Sequence, residues 1–318
     1  MRLFSKLFNF REHAIGLDIS YGRMAAAFFV EGNPTVLKRL AVAEYDPDLP
    51  DKELARKIRA FWKKEKLPSR TVCTCLHSRA LAIRPFSYKN LTREDLPHAL
   101  MLEAEEALQK KPEEIAMDWH LAPTGPDEET GLRTELFGLL AAAPRKTVQR
   151  HLNLIKAAGL YSISVEPSCS AAHRCYAFLR HDQAPEPVCL INLADRTADI
   201  VVCSNGNCYP RTLFSADGGW KNNLNYLAGN IQDALLYYEL KGRHAPIRQI
   251  VLTGSLPDPA GLIARLQQTT TLPVGILDVF NGLEKTGTRL DIFRDIPSTY
   301  SLTTALGLGL RRPLYGHG

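Results

Sequence analysis

The chain has few of the features that give a function away early. No apolar run in its 318 residues approaches the roughly 20 needed to cross a bilayer. The stretches around Ala25–Val30 and Leu136–Ala143 are only strand-sized. Met1–His13 contains no continuous apolar core, so no signal peptide is expected. There is no excess of one charge: the net charge of +5 is spread along the chain, which argues against nucleic-acid binding. The seven cysteines make an odd number, contain no Cys-x-x-Cys and have no framework spacing. Cys73 and Cys75, and likewise Cys189 and Cys203, sit in apolar strands. They are expected to be core thiols in a reduced, cytoplasmic protein rather than metal ligands or disulfides.

What is present is ordinary globular composition, with 45% hydrophobic and 23% charged residues, at a length sufficient for two lobes. Leu3, Phe4, Leu7, Phe8 and Phe10 alternate with Arg2, Lys6 and Arg11. Such a short segment is weak as a lipid contact, so a leader packed on the first strand is favoured. Ala14–Val30 reads as strand, tight turn and strand, and Thr35–Glu44 as a third strand of an antiparallel meander. Leu54, Ile58 and Phe61 share one face of a helix over Asp51–Leu67. Strands follow at Thr71–Leu76 and Leu81–Phe86. Next come a helix from Thr92 or Asp95 to Gln109 and a strand pair at Ile115–Leu121 and Leu132–Ala142. A helix then runs from Pro144 to Gly159 with Val148, Leu152 and Ile155 inward.

The pattern restarts about 170 residues later, as expected of an architectural duplication. Val188–Ile191, Ala198–Cys203 and Tyr209–Leu213 form a second meander around the Ser204–Asn207 turn. A helix over Trp220–Leu240, broken at Gly229, precedes a strand at Gln249–Thr253. A helix around Leu262–Leu266, a strand at Val274–Leu277 and a last helix over Tyr300–Arg311 complete the chain. Two related α/β lobes imply a cleft between them.

Several ordered landmarks resemble the PilM family, relatives of FtsA among the actin-like ATPases. Ile15-Gly-Leu-Asp18-Ile-Ser20 is similar to the opening "IGIDIG" strand and phosphate turn. Met101–Glu105 with Ile115–Asp118 is similar to "WEAEQYIPF…VVLDY". Ala157–Leu160 with Val165–Pro167 resembles "AAGL…VDVE", and Ser215–Gly219 resembles "PIGG". Ala234–Tyr238 resembles "RSLDYY", and Val251–Ser255 with Pro259–Leu262 resembles the adenosine-facing "LAGGGA…PGL". Ala305–Arg311 is similar to the terminal "AAGLALR". The resemblance spans His13 to Arg312.

It implies an α/β, actin-like (ribonuclease H-like) two-lobed fold with an inserted small α+β module of SHS2 type. The expected segments are 13–78 and 143–185 for the first lobe, 79–142 for the small module and 186–299 for a reduced second lobe. Residues 300–318 would return to the first lobe. The nucleotide positions carried over by resemblance are Asp18, Ser20, Gly22, Arg23, Asn192, Ala194, Asp195, Thr197, Gly218, Gly219, Gly254 and Ser255.

Several of these depart from what phosphate chemistry requires, namely glycine for close backbone approach and an acid in each half for Mg²⁺. Ser20 replaces glycine, Tyr21 is bulky, and the family's lysine position falls on Ala25. Arg23 reads equally as a substitute phosphate cation or as a solvated turn residue. In the second turn the acid is Asn192, the glycine is Ala194, and Arg196 replaces a small hydroxyl residue. Asp195 is offset and reads as a turn residue. The interval Gly219–Ile250 is shorter than in the family, leaving the cleft partly unwalled. Hydrolysis is therefore not expected; no resident cofactor or metal is assigned, and ATP·Mg²⁺ held without turnover stays open.

The resemblance implies a scaffold docking the cytoplasmic tail of a PilN-like inner-membrane protein, with membrane association only through partners and self-association left open. The alternatives are an ATPase driving pilus or pseudopilus assembly, and a sugar-kinase-like or Hsp70-like enzyme. The last needs two acidic phosphate turns. His173, with Cys169 and Cys175, lies on a predicted helix without a third ligand, and a packed helix face is expected there.

Overall fold

The computed structural model describes residues 14–30, 35–122, 135–180, 187–194, 196–204, 207–215, 219–240, 246–256, 258–281, 283–285 and 302–311. The amphipathic leader and the loop between Gly125 and Gly131 lie outside them.

The first half opens with β1 (Ile15–Ser20), β2 (Arg23–Val30), β3 (Val36–Glu44), α1 (Asp51–Lys64) and β4 (Thr71–Leu76). A small module follows: β5 (Ala82–Lys89), α2 (Leu96–Leu108), a 3₁₀ turn (Pro112–Glu114), β6 (Ile115–Leu121) and β7 (Glu135–Pro144). Then come α3 (Arg145–Ala157), β8 (Tyr161–Pro167) and α4 (Ser168–Leu179). The second half repeats the scheme with β9 (Val188–Leu193), β10 (Thr197–Ser204), β11 (Asn207–Phe214), a 3₁₀ turn (Trp220–Asn222) and α5 (Leu224–Leu240). It continues through β12 (Gln249–Gly254), α6 (Pro259–Thr269), β13 (Val274–Ile276), β14 (Glu284–Lys285) and α7 (Thr303–Gly309).

The duplication is literal in topology. One sheet runs β14-β3-β2-β1-β4-β8 and the other β11-β10-β9-β12-β13. In each, an antiparallel meander of three continues into two parallel strands at its first member. β14 pairs with β3, so the segment expected to belong wholly to the second lobe already contributes to the first sheet at Glu284. The small module is its own three-stranded sheet, β5-β7-β6, with α2 against it.

Burial explains why β2 reads as an unbroken apolar run. Met24, Ala26 and Phe28 face a cluster with α1 and α3, whereas Ala25, Ala27 and Phe29 face a cluster with α4 and α7. A strand covered on both faces needs no polar alternation. β10 does the same: Ala198, Ile200 and Val202 meet α5 and α6, and Val201 and Cys203 meet the α4 side. The layers are thus α1/α3, first sheet, α4/α7, second sheet and α5/α6.

Local chemistry fits the elements. α1 carries Asp51 and Glu53 in its first turn and Lys63 and Lys64 in its last, complementing the helix dipole. Arg150 of α3 pairs with Asp51 at 2.7 Å. Leu154 and Ile155 are the fully buried residues of α3, and Val148 and Leu152 are half-buried on the predicted inward face. α2 begins at Leu96 with Pro97 in its first turn, the later of the two predicted starts. Gly229 does not break α5, whose buried face of Leu227, Ala228, Ile231, Ala234 and Leu235 packs continuously on either side of it. The last helix is only Thr303–Gly309, shorter at both ends than predicted.

The central layer is joined by backbone. A Cβ on Gly307 would lie 1.8 Å from the Ala171 carbonyl oxygen, and one on Gly16 would lie 2.2 Å from the Gly309 nitrogen. Glu166, buried at the end of β8, is held by Arg174 at 2.7 Å and Arg311 at 2.6 Å. Arg174 also donates to the Gly307 carbonyl at 2.9 Å. Overpacking that meets backbone cannot relax by a rotamer change. Gly307→Ala and Gly16→Ala are expected to cost about 1–3 kcal/mol or more in chemical denaturation. Gly275→Ala, with nothing within 4 Å, is the control and should stay near wild type.

Candidate nucleotide cleft

The two meander turns touch across the cleft through Tyr21 and Arg196. Asp18 is buried near the end of β1, beside the parallel strand β4. Its Oδ1 lies 2.7 Å from His77 Nε2, just beyond β4, and accepts from the Cys75 thiol at 3.3 Å. Burial alone would push the His77 imidazole down, but the charge and hydrogen bond of Asp18, aided by the charge of Asp199, hold it above its usual value. The Cys75 thiol is pushed well up, by burial first and then by Asp18.

Opposite stands Asp199 on β10, buried in the strand. Its carboxylate accepts from the Ser168 hydroxyl and, at 2.9 Å, from Thr212. Burial raises its pKa, and those hydroxyls oppose the rise. His77, Ser168, Thr197, Asp199 and Thr212 line one recess between the lobes, closed on its apolar side by Phe214.

At the mouth, Tyr21 of the first turn meets Arg196 of the second. Arg196 Nη2 donates to the Tyr21 hydroxyl at 2.7 Å, and its guanidinium carbon lies 4.0 Å from the ring centroid. Such a stack, partly exposed, contributes about 0.5–1 kcal/mol. Two of the residues that depart from the phosphate-turn pattern, Tyr21 and Arg196, thus join the lobes.

The other carried-over positions have local duties. The Ser20 hydroxyl donates to the Arg23 carbonyl at 3.3 Å, and Gly22 has φ +79°. The Arg23 guanidinium is 3.3 Å from Glu44, so the structure places it on the neighbouring strand. The buried Asn192 amide donates to Thr304 at 3.3 Å. Ala194 and Thr197 present their carbonyls to the Trp220 indole, at 2.9 and 3.1 Å. Gly254 is required by backbone: a Cβ there would sit 2.0 Å from the Leu193 carbonyl, and Ser255 donates its N–H to that same oxygen at 2.6 Å. Gly219 adopts φ +72°. Asp195 and Gly218 lie outside the described residues.

Sequence reasoning missed His77, Asp199, Ser168 and Trp220. Two signals were legible: an acid within the apolar run Ile200-Val-Val, and a histidine immediately after a strand parallel to β1, where ligand-facing ends gather.

In sequence, the chain matches no protein-family model and no curated protein. In structure, it superposes on a PilM–PilN type IV pilus biogenesis complex with a TM-score of 0.79 at 18% identity, covering 95% of this chain and 98% of that one. The fold is actin-like. A Bacteroides thetaiotaomicron protein with actin-like ATPase fold and unknown function gives 0.52 at 11% identity, over 90% of this chain and 97% of that one. The cytoplasmic domain of EpsL, an inner membrane component of the type II secretion system of Vibrio cholerae, gives 0.51 at 11% identity, over 92% of each chain. At these identities the likeness is one of fold. Among the described residues of this actin-like chain, no helix is long and apolar enough to cross a membrane.

The raised His77 value has a pH signature. Its contribution to stability is fully present below about pH 6.5, the ordinary histidine value, and is lost as pH rises through the higher folded value. His151, held down to about 4 by burial and by the His77 charge, acts oppositely: its contribution is present above that ordinary value and lost as pH falls towards 4. Denaturant unfolding across pH should show both slopes in wild type. His77→Asn should abolish the alkaline loss and leave most of the acid loss, because burial is the larger cause of the lowered His151 value.

Proposed function

We propose that the chain is a non-catalytic cytoplasmic platform of a type IV pilus or type II secretion-like assembly machine, peripheral at the inner membrane. In this reading it holds the cytoplasmic tail of a membrane-anchored, PilN-like protein. The observation that carries the proposal is the internal satisfaction of the cleft. Mg²⁺ bound with a triphosphate wants carboxylate or water oxygens around it. Asp18 is engaged by His77, Asp199 by two hydroxyls, and the position of the second acid is the amide of Asn192. Arg196 and Tyr21 meet where phosphate would have to pass between the turns. This donor set does not fit Mg·ATP.

The likeness to the PilM–PilN complex over nearly all of both chains supports the choice of machine. In this proposal, residues 79–142 form the inserted SHS2-like module, and the tail lies in a groove beside it. The module is anchored to the second lobe: Arg79 donates to the Ser215 carbonyl at 3.1 Å, and Phe137 meets Tyr209 with ring centroids 6.2 Å apart. A groove with both walls fixed favours an extended peptide, because little has to be ordered on binding.

Calorimetric titration tests this directly. The expected result is no binding heat with Mg·ATP and micromolar binding of a peptide copying the cytoplasmic tail of a PilN-like protein. Micromolar Mg·ATP binding with phosphate release would replace the proposal by an assembly ATPase.

A further inference from the structure

Away from the cleft, the structure brings together three side chains that the sequence keeps apart. Cys203 and Cys208 are directly opposed across the β10–β11 hairpin, with sulfurs 3.4 Å apart. His173 on α4 places its ring nitrogens 3.7 and 3.9 Å from the Cys208 sulfur. All three ligand atoms lie within 4.8 Å of one another. The third-ligand partner that the predicted helix lacked is thus supplied by the hairpin, and Cys203 is more than a core thiol. Cys169 and Cys175 remain buried core residues.

The spacing suits coordination. With Zn–S about 2.3 Å and Zn–N about 2.0–2.1 Å, a tetrahedral ion separates its sulfurs by about 3.8 Å and sulfur from nitrogen by about 3.6 Å. The edges from Cys208 to Cys203 and to His173 come within a few tenths of an ångström of these. The Asp18–Cys75–His77 triangle fails the same comparison. Its 2.7 Å oxygen–nitrogen distance is a direct hydrogen bond, well short of the roughly 3.4 Å edge around zinc.

We propose that Cys203, Cys208 and His173 form a tetrahedral site for a thiolate-seeking divalent ion of the zinc class, which pins the second-lobe hairpin to the central helix α4. Cys208 and His173 are only half-buried, so an ion can enter. The three side chains leave the fourth position of the tetrahedron to water or an added ligand. Two thiolates and an imidazole select zinc-like ions over Mg²⁺ or Ca²⁺, which prefer oxygen.

The test is Co²⁺ titration of the reduced, metal-stripped full chain. A thiolate-to-cobalt charge-transfer band with the ligand-field pattern of tetrahedral cobalt should grow to stoichiometry, be displaced by Zn²⁺, and disappear in Cys208→Ser. His173→Gln should weaken cobalt binding by at least about 10-fold. Both substitutions are at half-buried positions and should leave the far-UV circular dichroism unchanged. Independently, Zn²⁺ should raise the Tm of wild type and not that of Cys208→Ser. Absence of the band, its survival in Cys208→Ser, or a Cys203–Cys208 disulfide that forms in air despite saturating Zn²⁺ would each overturn the assignment.

Discussion

The fold depends on how closely helix α7 is pressed against its neighbours. The backbone of Gly307 touches that of Ala171, and Gly309 and Ala305 close over Gly16. Because α4 and α7 form the layer shared by both sheets, this approach sets the distance between the lobes. A layer one methyl thicker would separate the meander turns. The contact across the cleft, Arg196 to Tyr21 at the mouth, belongs to this closed spacing. The buried Glu166 with its two arginines holds the same junction from the side, and removing one partner would strand a buried charge.

The cleft then has a consistent chemistry. In an actin-like nucleotide site, glycine turns and acids wait for phosphate and a metal. Here those positions are occupied from within. An imidazole stands against the first carboxylate, hydroxyls hold an acid on the opposite strand, an amide replaces the second acid, and an arginine on a tyrosine joins the turns. Trp220, in the interval that the family resemblance makes short, donates its indole N–H to the carbonyls of the second turn and stiffens it from below. Among the described residues, Asp18, Asp199 and Asn192 each have a hydrogen-bond partner within the protein.

Much of the architecture was legible because burial on both faces leaves a plain record. β2 and β9 read as continuous apolar strands, and the repeat of strand–turn–strand predicted two lobes. Helix ends were read less well. α7 runs only from Thr303 to Gly309, with Leu302 and Leu310 as its flanking residues. The site was half legible. The degenerate turns are visible as Ser20, Asn192, Ala194 and Arg196, but their replacements are not, since His77 reaches Asp18 from just beyond the adjacent parallel strand β4, far away in sequence. The Cys203–Cys208–His173 cluster was hidden likewise: strand register and a helix 30 residues upstream bring it together.

The central claim is that the two phosphate turns are closed on each other and indifferent to nucleotide. Amide hydrogen exchange resolved over Ser20–Arg23 and around Thr197 tests it most directly, with and without millimolar Mg·ATP. The account predicts superimposable exchange at both turns. Protection of both turns by Mg·ATP would show a working phosphate clamp and contradict it.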